Sequence, residues 1–220
     1  MQTEPFTHWI FDLDNTLYAP EVALFAQIEA RMTDFVMRRL KLSRGCADAL
    51  RSQYWRDHGT TLAGLMAEHA IEPEAYLAEV HDIDFSALSP DPALAGAIAA
   101  LPGRKIIHTN ADAAYAGKVL AHRGLGVFDA IYGIGETGYT PKPDARAYEA
   151  VRRAEGFDPA RAIMFEDDPR NLAVPHSWGM ATVLVGAGRH GPDVLAAGHD
   201  PGPHVGQRTC DLVTFLRALA

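Results

Sequence analysis

Two aspartates that are two positions apart, Asp12 and Asp14, follow a short apolar run in the sequence FDLDNT at residues 11–16. If the chain stays extended there, both side chains point to one face. Carboxylates at such close range repel each other, so the pair implies a cation between them or a raised pKa on one of them. The pair is suited to supply a nucleophilic carboxylate and a general acid or base.

Three further polar clusters occupy equivalent places later in the chain, each near the end of a predicted strand. They are Thr109-Asn110, Pro141-Lys142-Pro143 and Glu166-Asp167-Asp168. Ligands bind outside the carboxyl ends of the strands in open parallel sheets, so we expect these clusters to converge with the aspartate pair.

The converged clusters would contain the parts that phosphoryl transfer needs. Asp12, Asp14 and Asp167 offer hard oxygen ligands for Mg²⁺. Water molecules and a phosphate would complete the coordination of the ion. Thr109 and Lys142 offer a hydroxyl and a positive charge for the phosphoryl oxygens. We therefore interpret this edge of the sheet as a phosphoryl-transfer site.

Each cluster also has an ordinary structural explanation when it is taken alone. Aspartate, asparagine and threonine are common in turns after strands. Thr109-Asn110 is typical of the start of a helix, and Lys142 could be a loop lysine. Acidic residues at 166–168 also suit the first turn of a helix. The shared position at strand ends is what favours the chemical interpretation.

The elements that position these clusters are predicted from the apolar pattern after residue 86 and from the run at 8–12. The predicted strands are 8–12, 105–109, 130–132, 162–165 and 181–185, and the predicted helices are 92–101, 113–123, 143–155 (with Pro143 in its first turn), 171–178 and 211–219. Apolar strands that alternate with helices predict an α/β fold with a doubly wound parallel sheet, a Rossmann-like core.

Residues 19–85 interrupt this alternation with an all-helical pattern. The predicted helices are 21–40, 46–57, 60–70 and 73–80. The segment is therefore predicted to be an inserted helical cap domain, and residues 1–18 and 86–220 are predicted to form the catalytic core.

A polar group in the cap surrounds Gly59, a predicted break between two helices. Its members are Tyr54, His58, Thr60 and Thr61. Their aromatic and hydroxyl groups suit a flat heterocycle such as uracil or cytosine. The alternative is that the tyrosine packs the cap and the threonines cap the next helix.

Composition excludes several classes of protein. The 220 residues are 48% hydrophobic and 22% charged, as in globular domains, and the net charge of −8 argues against a nucleic-acid polymer as partner. No apolar run approaches 18 residues, and residues 1–9 carry no basic region, so neither a membrane span nor a signal peptide is expected. Cys46 and Cys210 form no C-x-x-C motif, which favours free thiols and a cytoplasmic location.

The segment 186–206 is rich in glycine, proline and histidine. Its histidines are His190, His199 and His204. Their spacing matches no compact metal site, so a surface loop is the preferred interpretation. The sequence does not indicate an oligomeric state.

Taken together, the motifs are similar to a known family. FDLDNTL, the strand ending in HTN, PKP and FEDD resemble the four signatures of the haloacid dehalogenase-like hydrolase superfamily, and the helical insertion resembles its cap. More narrowly, DLDNTLY, GTTLAGL, VHDID, TNAD and FEDDPRNL resemble the pyrimidine 5′-nucleotidase-like branch, a group of small phosphatases.

The resemblance implies a division of roles between the two aspartates and a metal ion. Asp12 would be the nucleophile that becomes an aspartyl phosphate. Asp14 would protonate the leaving alkoxide and then activate the hydrolytic water. Mg²⁺ would be held by the Asp12 carboxylate, the Asp14 backbone carbonyl and Asp167.

The resemblance also implies the substrate-binding residues. Thr109 and the backbone of Asn110 would hold the phosphoryl oxygens, and Lys142 would offset the charge between the nucleophile and the phosphate. Glu166 would be a partner in the outer shell of the metal.

The chain departs from the family pattern at three positions. His108 replaces an apolar or aromatic residue before the Thr-Asn pair, and His58 replaces an aromatic residue before GTTLAGL. These two changes are candidates for an effect on substrate choice. Asp168 replaces a serine, which leaves open whether Glu166 or Asp168 joins the metal ligands.

The function expected first is hydrolysis of a small-molecule phosphomonoester, with pyrimidine nucleoside 5′-monophosphates as the narrower expectation. Alternatives are a phosphatase or a phosphomutase acting on a sugar or cofactor phosphate. A dehalogenase is disfavoured because its chemistry needs neither the second acid nor a metal. A phospho-accepting receiver domain is disfavoured by the long helical insertion, and a pure phosphate-binding module by the adjacent acid–base group.

Overall fold

A parallel sheet of six strands runs through the described part of the chain, residues 5–186 and 202–220 of this computed structural model. The strands are β1 (His8–Phe11), β2 (Arg104–His108), β3 (Ala130–Tyr132), β4 (Ala162–Glu166), β5 (Ala181–Val185) and β6 (Gln207–Thr209). Their order is β3-β2-β1-β4-β5-β6, and each neighbouring pair is parallel. The predicted fold class is confirmed, and β1 lies where the strand order changes direction, the usual place for a ligand.

The described residues also contain nine α-helices. They are α1 (Leu24–Leu40), α2 (Arg44–His58), α3 (Thr61–His69), α4 (Pro73–Val80), α5 (Pro92–Ala99), α6 (Ala113–Arg123), α7 (Ala145–Glu155), α8 (Ala173–Ser177) and α9 (Leu212–Arg217). Short 3₁₀ helices occur at Pro20–Val22, Pro159–Arg161 and Pro169–Leu172.

The first four helices lie between β1 and β2 and pack on one another as the predicted helical insertion. α1 buries Ile28 and Phe35 on one face, consistent with the three-to-four spacing of its apolar residues. The side chains of Ser43 and Thr60 accept backbone hydrogen bonds at the starts of α2 and α3, where a helix has unpaired N–H groups. The exact domain boundaries, 19 and 85, stay a prediction.

Helices α2 and α3 approach closely at Gly64. A Cβ atom at this position would lie 2.2 Å from Cγ of Tyr54, far inside van der Waals contact. The hydroxyl of Tyr54 lies 2.7 Å from Nε2 of His69 at the end of α3. The tyrosine therefore packs the two helices together, which is the alternative that the sequence left open.

The centre of the sheet is stabilised by aromatic packing between β1 and β4. The rings of Phe11 and Phe165 are stacked, with centroids 4.6 Å apart, and both are fully buried. On the opposite face of the sheet, Ile10 and Met164 are buried beneath α7 residues such as Tyr148. These strands are buried on both faces, which explains their continuous apolar sequences.

The prediction that Pro143 lies in the first turn of a helix is wrong. α7 begins at Ala145, and Asp144 caps it by accepting a hydrogen bond from the backbone N–H of Arg146. Pro143 instead follows Lys142 through a cis peptide bond in the preceding loop. A capping carboxylate one residue after the proline therefore sets the start of this helix.

The C-terminal part differs from the prediction in two further ways. The predicted helix at 171–178 is a 3₁₀ turn followed by α8, and the short strand β6 was not anticipated. Of the segment predicted as a loop, 187–201 lies outside the described residues, and so do His190 and His199. No helix in the described ranges is long and apolar enough to cross a membrane. Cys46 and Cys210 are both free and exposed.

Candidate active site

The predicted polar clusters meet at the carboxyl edge of the sheet. Asp12 follows β1, and its backbone N–H still donates to the carbonyl of Phe165 in β4. Thr109 follows β2 and is bonded in the same way to the carbonyl of Tyr132 in β3. Asp167 follows β4. Three adjacent parallel strands therefore deliver these side chains to one place, as the sequence predicted.

Lys142 connects the clusters, although it lies in a loop. Its Nζ lies 2.8 Å from Oδ1 of Asp12, 2.6 Å from Oε2 of Glu166 and 2.8 Å from the carbonyl oxygen of His108. Only 1% of the residue is exposed. Burial by itself would lower the pKa of Lys142, but the two carboxylates outweigh it and raise the pKa above its usual value. The lysine is therefore held as a cation.

The backbone of Lys142 is held by the side chain of Asn110. Oδ1 of Asn110 accepts a hydrogen bond from the Lys142 N–H at 2.8 Å, and Nδ2 donates to the Lys142 carbonyl at 3.1 Å. The side chain of Asn110 thus positions the lysine, a role that sequence reasoning missed. The hydroxyl of Thr109 is buried and accepts a hydrogen bond from the N–H of Ala111. Binding of phosphoryl oxygens by Thr109 and by the Asn110 backbone stays a prediction.

Three buried carboxylates form a group suited to a cation. Oxygen atoms of Asp12, Glu166 and Asp167 all lie within 4.8 Å of one another. Lys142 pairs with two of these groups, Asp12 and Glu166. Burial raises the pKa of Glu166 well above its usual value, and the nearby charge of Asp12 raises it further. Hard carboxylate oxygens in excess of nearby positive charge fit a divalent ion such as Mg²⁺.

Within this group, both oxygens of Glu166 are engaged by the protein itself. One of its oxygens binds Lys142, and the other accepts a hydrogen bond from the backbone N–H of Asp168 at 3.2 Å. Both oxygens of Asp168 contact the guanidinium of Arg170. Asp12 and Asp167 follow β1 and β4 at this edge of the sheet, and their role as ligands of an ion stays a proposal.

Asp12 and Asp14 have different surroundings. Oδ2 of Asp12 accepts a hydrogen bond from the hydroxyl of Thr16 at 3.1 Å, besides its contact with Lys142. Oδ1 of Asp14 accepts hydrogen bonds from the hydroxyls of Tyr18 and Tyr115, at 2.6 and 2.7 Å.

The surroundings of Asp14 also change its own proton affinity. Desolvation, followed by repulsion from Asp12, raises the pKa of Asp14 to about 6. Asp14 is therefore suited to hold a proton near neutral pH, whereas Asp12 lies against a cation. The contact of Tyr115 with Asp14 could not be recognised from the sequence, because α6 brings this tyrosine to Asp14 from 101 positions away. Tyr18 lies only 4 positions after Asp14.

A cavity of about 330 Å³ extends from these groups to the cap helices. Thr60 and Thr61 line it, but Tyr54 and His58 do not. His58 lies instead beside Glu68, with 3.6 Å between Nε2 and the carboxylate. The prediction that Tyr54 and His58 face the substrate is therefore wrong.

The cap residues that sequence reasoning missed in this cavity come from α2 and α4. They include Arg51, Trp55 and Tyr76. The Trp55 ring packs against the guanidinium of Arg170, whose Cζ lies 3.3 Å from the ring centroid. The sequence shows that Arg51 and Trp55 lie at a helical spacing on α2. It does not show which face of this helix meets the core.

His108 is not part of the cavity. Its ring is 2% exposed and packs edge-on against the ring of Tyr148, with centroids 5.1 Å apart. Desolvation, reinforced by the charge of Lys142, holds the pKa of His108 well below its usual value. An effect of this histidine on substrate choice through direct contact is therefore excluded by its location.

Comparison with known proteins agrees with this geometry. The family model described as haloacid dehalogenase-like hydrolase matches residues 7–175. The chain belongs to the haloacid dehalogenase-like hydrolases. This assignment makes it a hydrolase of that family, which confirms the resemblance noted in the sequence at the level of the superfamily.

Solved structures of this family share the fold at low sequence identity. The L-2-haloacid dehalogenase PA0810 is 18% identical with a TM-score of 0.59, over 97% of this chain and 98% of that one. The HAD phosphatase from Thermococcus onnurineus is 17% identical with a TM-score of 0.59, over 97% of both chains. The HAD-hydrolase YfnB from Bacillus subtilis, bound to magnesium, is 16% identical with a TM-score of 0.57, over 98% of this chain and 99% of that one. Dehalogenases and phosphatases are both represented, so the fold does not choose between these reactions.

Proposed function

We propose that this protein is a Mg²⁺-dependent phosphomonoesterase that forms an aspartyl-phosphate intermediate and acts on pyrimidine nucleoside 5′-monophosphates. The observation that carries the proposal is the placement of two carboxylates with different partners at one cavity. Asp12 is held by Lys142 and Thr16, and Asp14 is held by two tyrosine hydroxyls. A nucleophile and a separate acid–base group are what hydrolysis of a phosphate ester requires.

In the first step, a carboxylate oxygen of Asp12 attacks the phosphorus atom, and the bond from phosphorus to the ester oxygen breaks. Asp14 donates its proton to the departing alkoxide. In the second step, Asp14 takes a proton from water, the water oxygen attacks the phosphorus atom, and the bond to Asp12 breaks. Inorganic phosphate is released, and both carboxyl groups return to their starting states.

The divalent ion fits the acidic group already described, with Asp12, Asp167 and the Asp14 backbone carbonyl as the proposed ligands. Mg²⁺ bound there would supply positive charge for the phosphoryl oxygens. Lys142 would stabilise the ionised Asp12 before the attack, because its ammonium lies 2.8 Å from the attacking group. Thr109 and the Asn110 backbone would orient the phosphoryl group.

Dehalogenation is the competing reaction within the family. It would also begin with attack by Asp12, but at carbon, and a halide ion leaves without a proton. Asp14 would then have no leaving group to protonate, and its one use would be to activate the water that hydrolyses the ester intermediate. The excess of carboxylates around a cation would have no role in that reaction. These features support the phosphatase proposal over the dehalogenase alternative.

The deciding experiment measures phosphate release from nucleotides, sugar phosphates and cofactor phosphates in the presence of Mg²⁺. A parallel assay measures chloride release from L-2-chloropropionate. We expect many turnovers of phosphate release, faster with UMP or CMP than with AMP or GMP, and none by Asp12→Asn. Chloride release without phosphate release would establish the dehalogenase alternative. Phosphate release that stops after one equivalent would indicate a receiver.

A further inference from the structure

The cap side of the active-site cavity contains one lysine or arginine among the described residues, Arg51 of α2. Its Nη1 donates to the hydroxyl of Thr33 at 2.8 Å, and that hydroxyl donates to Asp48 at 2.6 Å. Its Nη2 lies 3.5 Å from the carboxylate of Glu29. Contacts from α1 and from its own helix therefore hold the guanidinium in one orientation.

Buried polar atoms without hydrogen-bond partners are concentrated at this cavity. The described residues contain three such side-chain atoms, Nε of Arg51, the hydroxyl of Tyr76 and Oδ1 of Asn171, and all three residues line it. The two on the cap side are donors, since burial raises the pKa of Tyr76 and keeps its proton in place. The side chain of Thr61 lies beside the Tyr76 hydroxyl, but the two groups are not arranged to form a hydrogen bond. Since buried polar groups are nearly always paired, the missing acceptors point to a ligand.

The charge around Arg51 limits what that ligand can be. Asp48 and Glu29 lie 3.6 and 3.5 Å from the guanidinium and already compensate its charge. An anionic leaving group would meet two carboxylates for one cation, whereas a neutral carbonyl oxygen needs only an N–H or O–H donor. The remaining cap wall is largely apolar. Besides Trp55 and the polar residues Ser52, Thr60, Thr61 and His81, it contains Phe25, Ile28, Met32, Leu62, Leu77 and Val80.

We propose that Arg51 and Tyr76 select phosphomonoesters whose leaving group is neutral, is partly apolar and carries a carbonyl oxygen. The Arg51 Nε–H and the Tyr76 hydroxyl donate to that oxygen or to a pair of such oxygens on one ring. Leaving groups that carry a carboxylate or a second phosphate are disfavoured by Glu29 and Asp48. This inference rests on the phosphatase function proposed above and assigns its selectivity to two residues.

The test compares kcat/KM for three substrates. UMP carries a neutral base with carbonyl oxygens, and ribose 5-phosphate has the same sugar phosphate without the base. The third substrate, 2-phosphoglycolate, has an anionic leaving group. We expect Arg51→Met to lower kcat/KM for UMP by about 10- to 100-fold, as for a lost hydrogen bond to a charged group. Ribose 5-phosphate should react at its wild-type rate.

A second variant and a matched control complete the design. Tyr76→Phe removes only the hydroxyl and keeps the ring, which packs edge-on against Phe35, so we expect a loss of about 2- to 10-fold for UMP alone. Arg44→Met changes an exposed arginine of the same helix that pairs with Asp34 and should leave all three substrates unchanged. Melting temperatures verify that each variant is folded.

Four outcomes would overturn the inference. Equal losses for UMP and ribose 5-phosphate in both variants would give Arg51 and Tyr76 a structural role only. A selective loss of 2-phosphoglycolate hydrolysis in Arg51→Met would show that the arginine binds a carboxylate. If the wild-type enzyme hydrolyses UMP no faster than ribose 5-phosphate, the uracil base is not recognised. If the wild type releases phosphate from none of the three but does so from another phosphomonoester of the wider panel, the inference fails and the phosphatase proposal stands. If it releases phosphate from no member of that panel, the phosphatase proposal itself fails.

Discussion

The imidazole of His81 stacks on the phenol ring of Tyr115, with the ring centroids 4.4 Å apart and the planes 18° apart. His81 directly follows α4 of the cap, whereas Tyr115 belongs to α6 of the core and donates a hydrogen bond to Asp14. His81 is also bonded to Asp112, the residue that caps α6. The cap thus touches the core one hydrogen bond away from the proposed acid–base group.

The first prediction concerns Tyr115→Phe. The variant keeps the ring that stacks on His81 but removes one of the two hydroxyls that hold Asp14. We expect kcat for UMP to fall by about 10-fold, as for one lost hydrogen bond to a group that becomes charged when it donates its proton, with a smaller change in KM. Tyr132→Phe is the control, because its hydroxyl contacts Glu155 away from the cavity and should not matter. Equal effects of the two substitutions would contradict the role given to Tyr115.

The second prediction concerns Asp14→Asn. The amide keeps an oxygen that can accept the tyrosine hydrogen bonds, but it cannot donate and recover a proton. We expect kcat to fall by about 10²–10⁴-fold, the share usual for general acid–base catalysis. Steady-state kinetics with UMP measure the change, and Asp57→Asn at an exposed position outside this cavity serves as control. A variant with near wild-type kcat would remove Asp14 from the mechanism.

The third prediction concerns the metal. Activity should be lost in EDTA and return with Mg²⁺, and Mg²⁺ should raise the melting temperature, because an ion that binds only the folded state stabilises it. Asp167→Asn should need more Mg²⁺ for both effects, since it removes one carboxylate of the buried group. Thermal unfolding at increasing Mg²⁺ provides a readout independent of turnover. Full activity after exhaustive treatment with chelator would contradict the proposal.

The fourth prediction concerns stability and pH. The folded protein holds the pKa of His108 below the usual value of about 6.5, so the unfolded chain binds a proton there more readily. Stability conferred by the neutral ring is thus present above that value and is lost as the pH falls below it. The expected slope from this one residue is at most about 1.4 kcal/mol per pH unit.

Comparison of the wild type with His108→Phe isolates this contribution from those of other groups. Urea unfolding at pH 7.5 and 5.5 should show that the variant loses less free energy of unfolding on acidification. An aromatic ring at this position keeps the edge-on packing against Tyr148. Identical pH dependence in the two proteins would mean that His108 is protonated without cost in the folded state.

The sequence was sufficient to predict residues whose positions follow from strand ends. Asp12, Thr109 and Asp167 each follow a short apolar run, and the doubly wound pattern places such positions on one edge. Lys142 was found through its motif, although nothing in the sequence shows that its ammonium bridges two carboxylates. For these residues, local pattern and topology determine the position of the side chain.

Residues whose roles depend on how helices pack were not predictable in the same way. Arg51, Tyr54 and Trp55 lie within one turn and a half of α2, and all three are plausible as substrate contacts. Successive positions on a helix differ by about 100° in direction, so a neighbour of a cavity residue can face another helix. Tyr54 faces Gly64 of α3, while Arg51 and Trp55 line the cavity. Tertiary packing decides which of these three side chains reach the cavity.

An ammonium group has three hydrogens, and each of the three on Lys142 already has an acceptor in Asp12, Glu166 and the His108 carbonyl. A phosphoryl oxygen can therefore obtain a hydrogen bond from this group only by displacing one of them. In the proposed mechanism, the exchange would become favourable when Asp12 gives up its charge on bonding to phosphorus. Lys142 would then exchange its hydrogen bond to Asp12 for one to the phosphoryl group that is bonded to Asp12. A single cation would in this way stabilise first the reactant and then the intermediate.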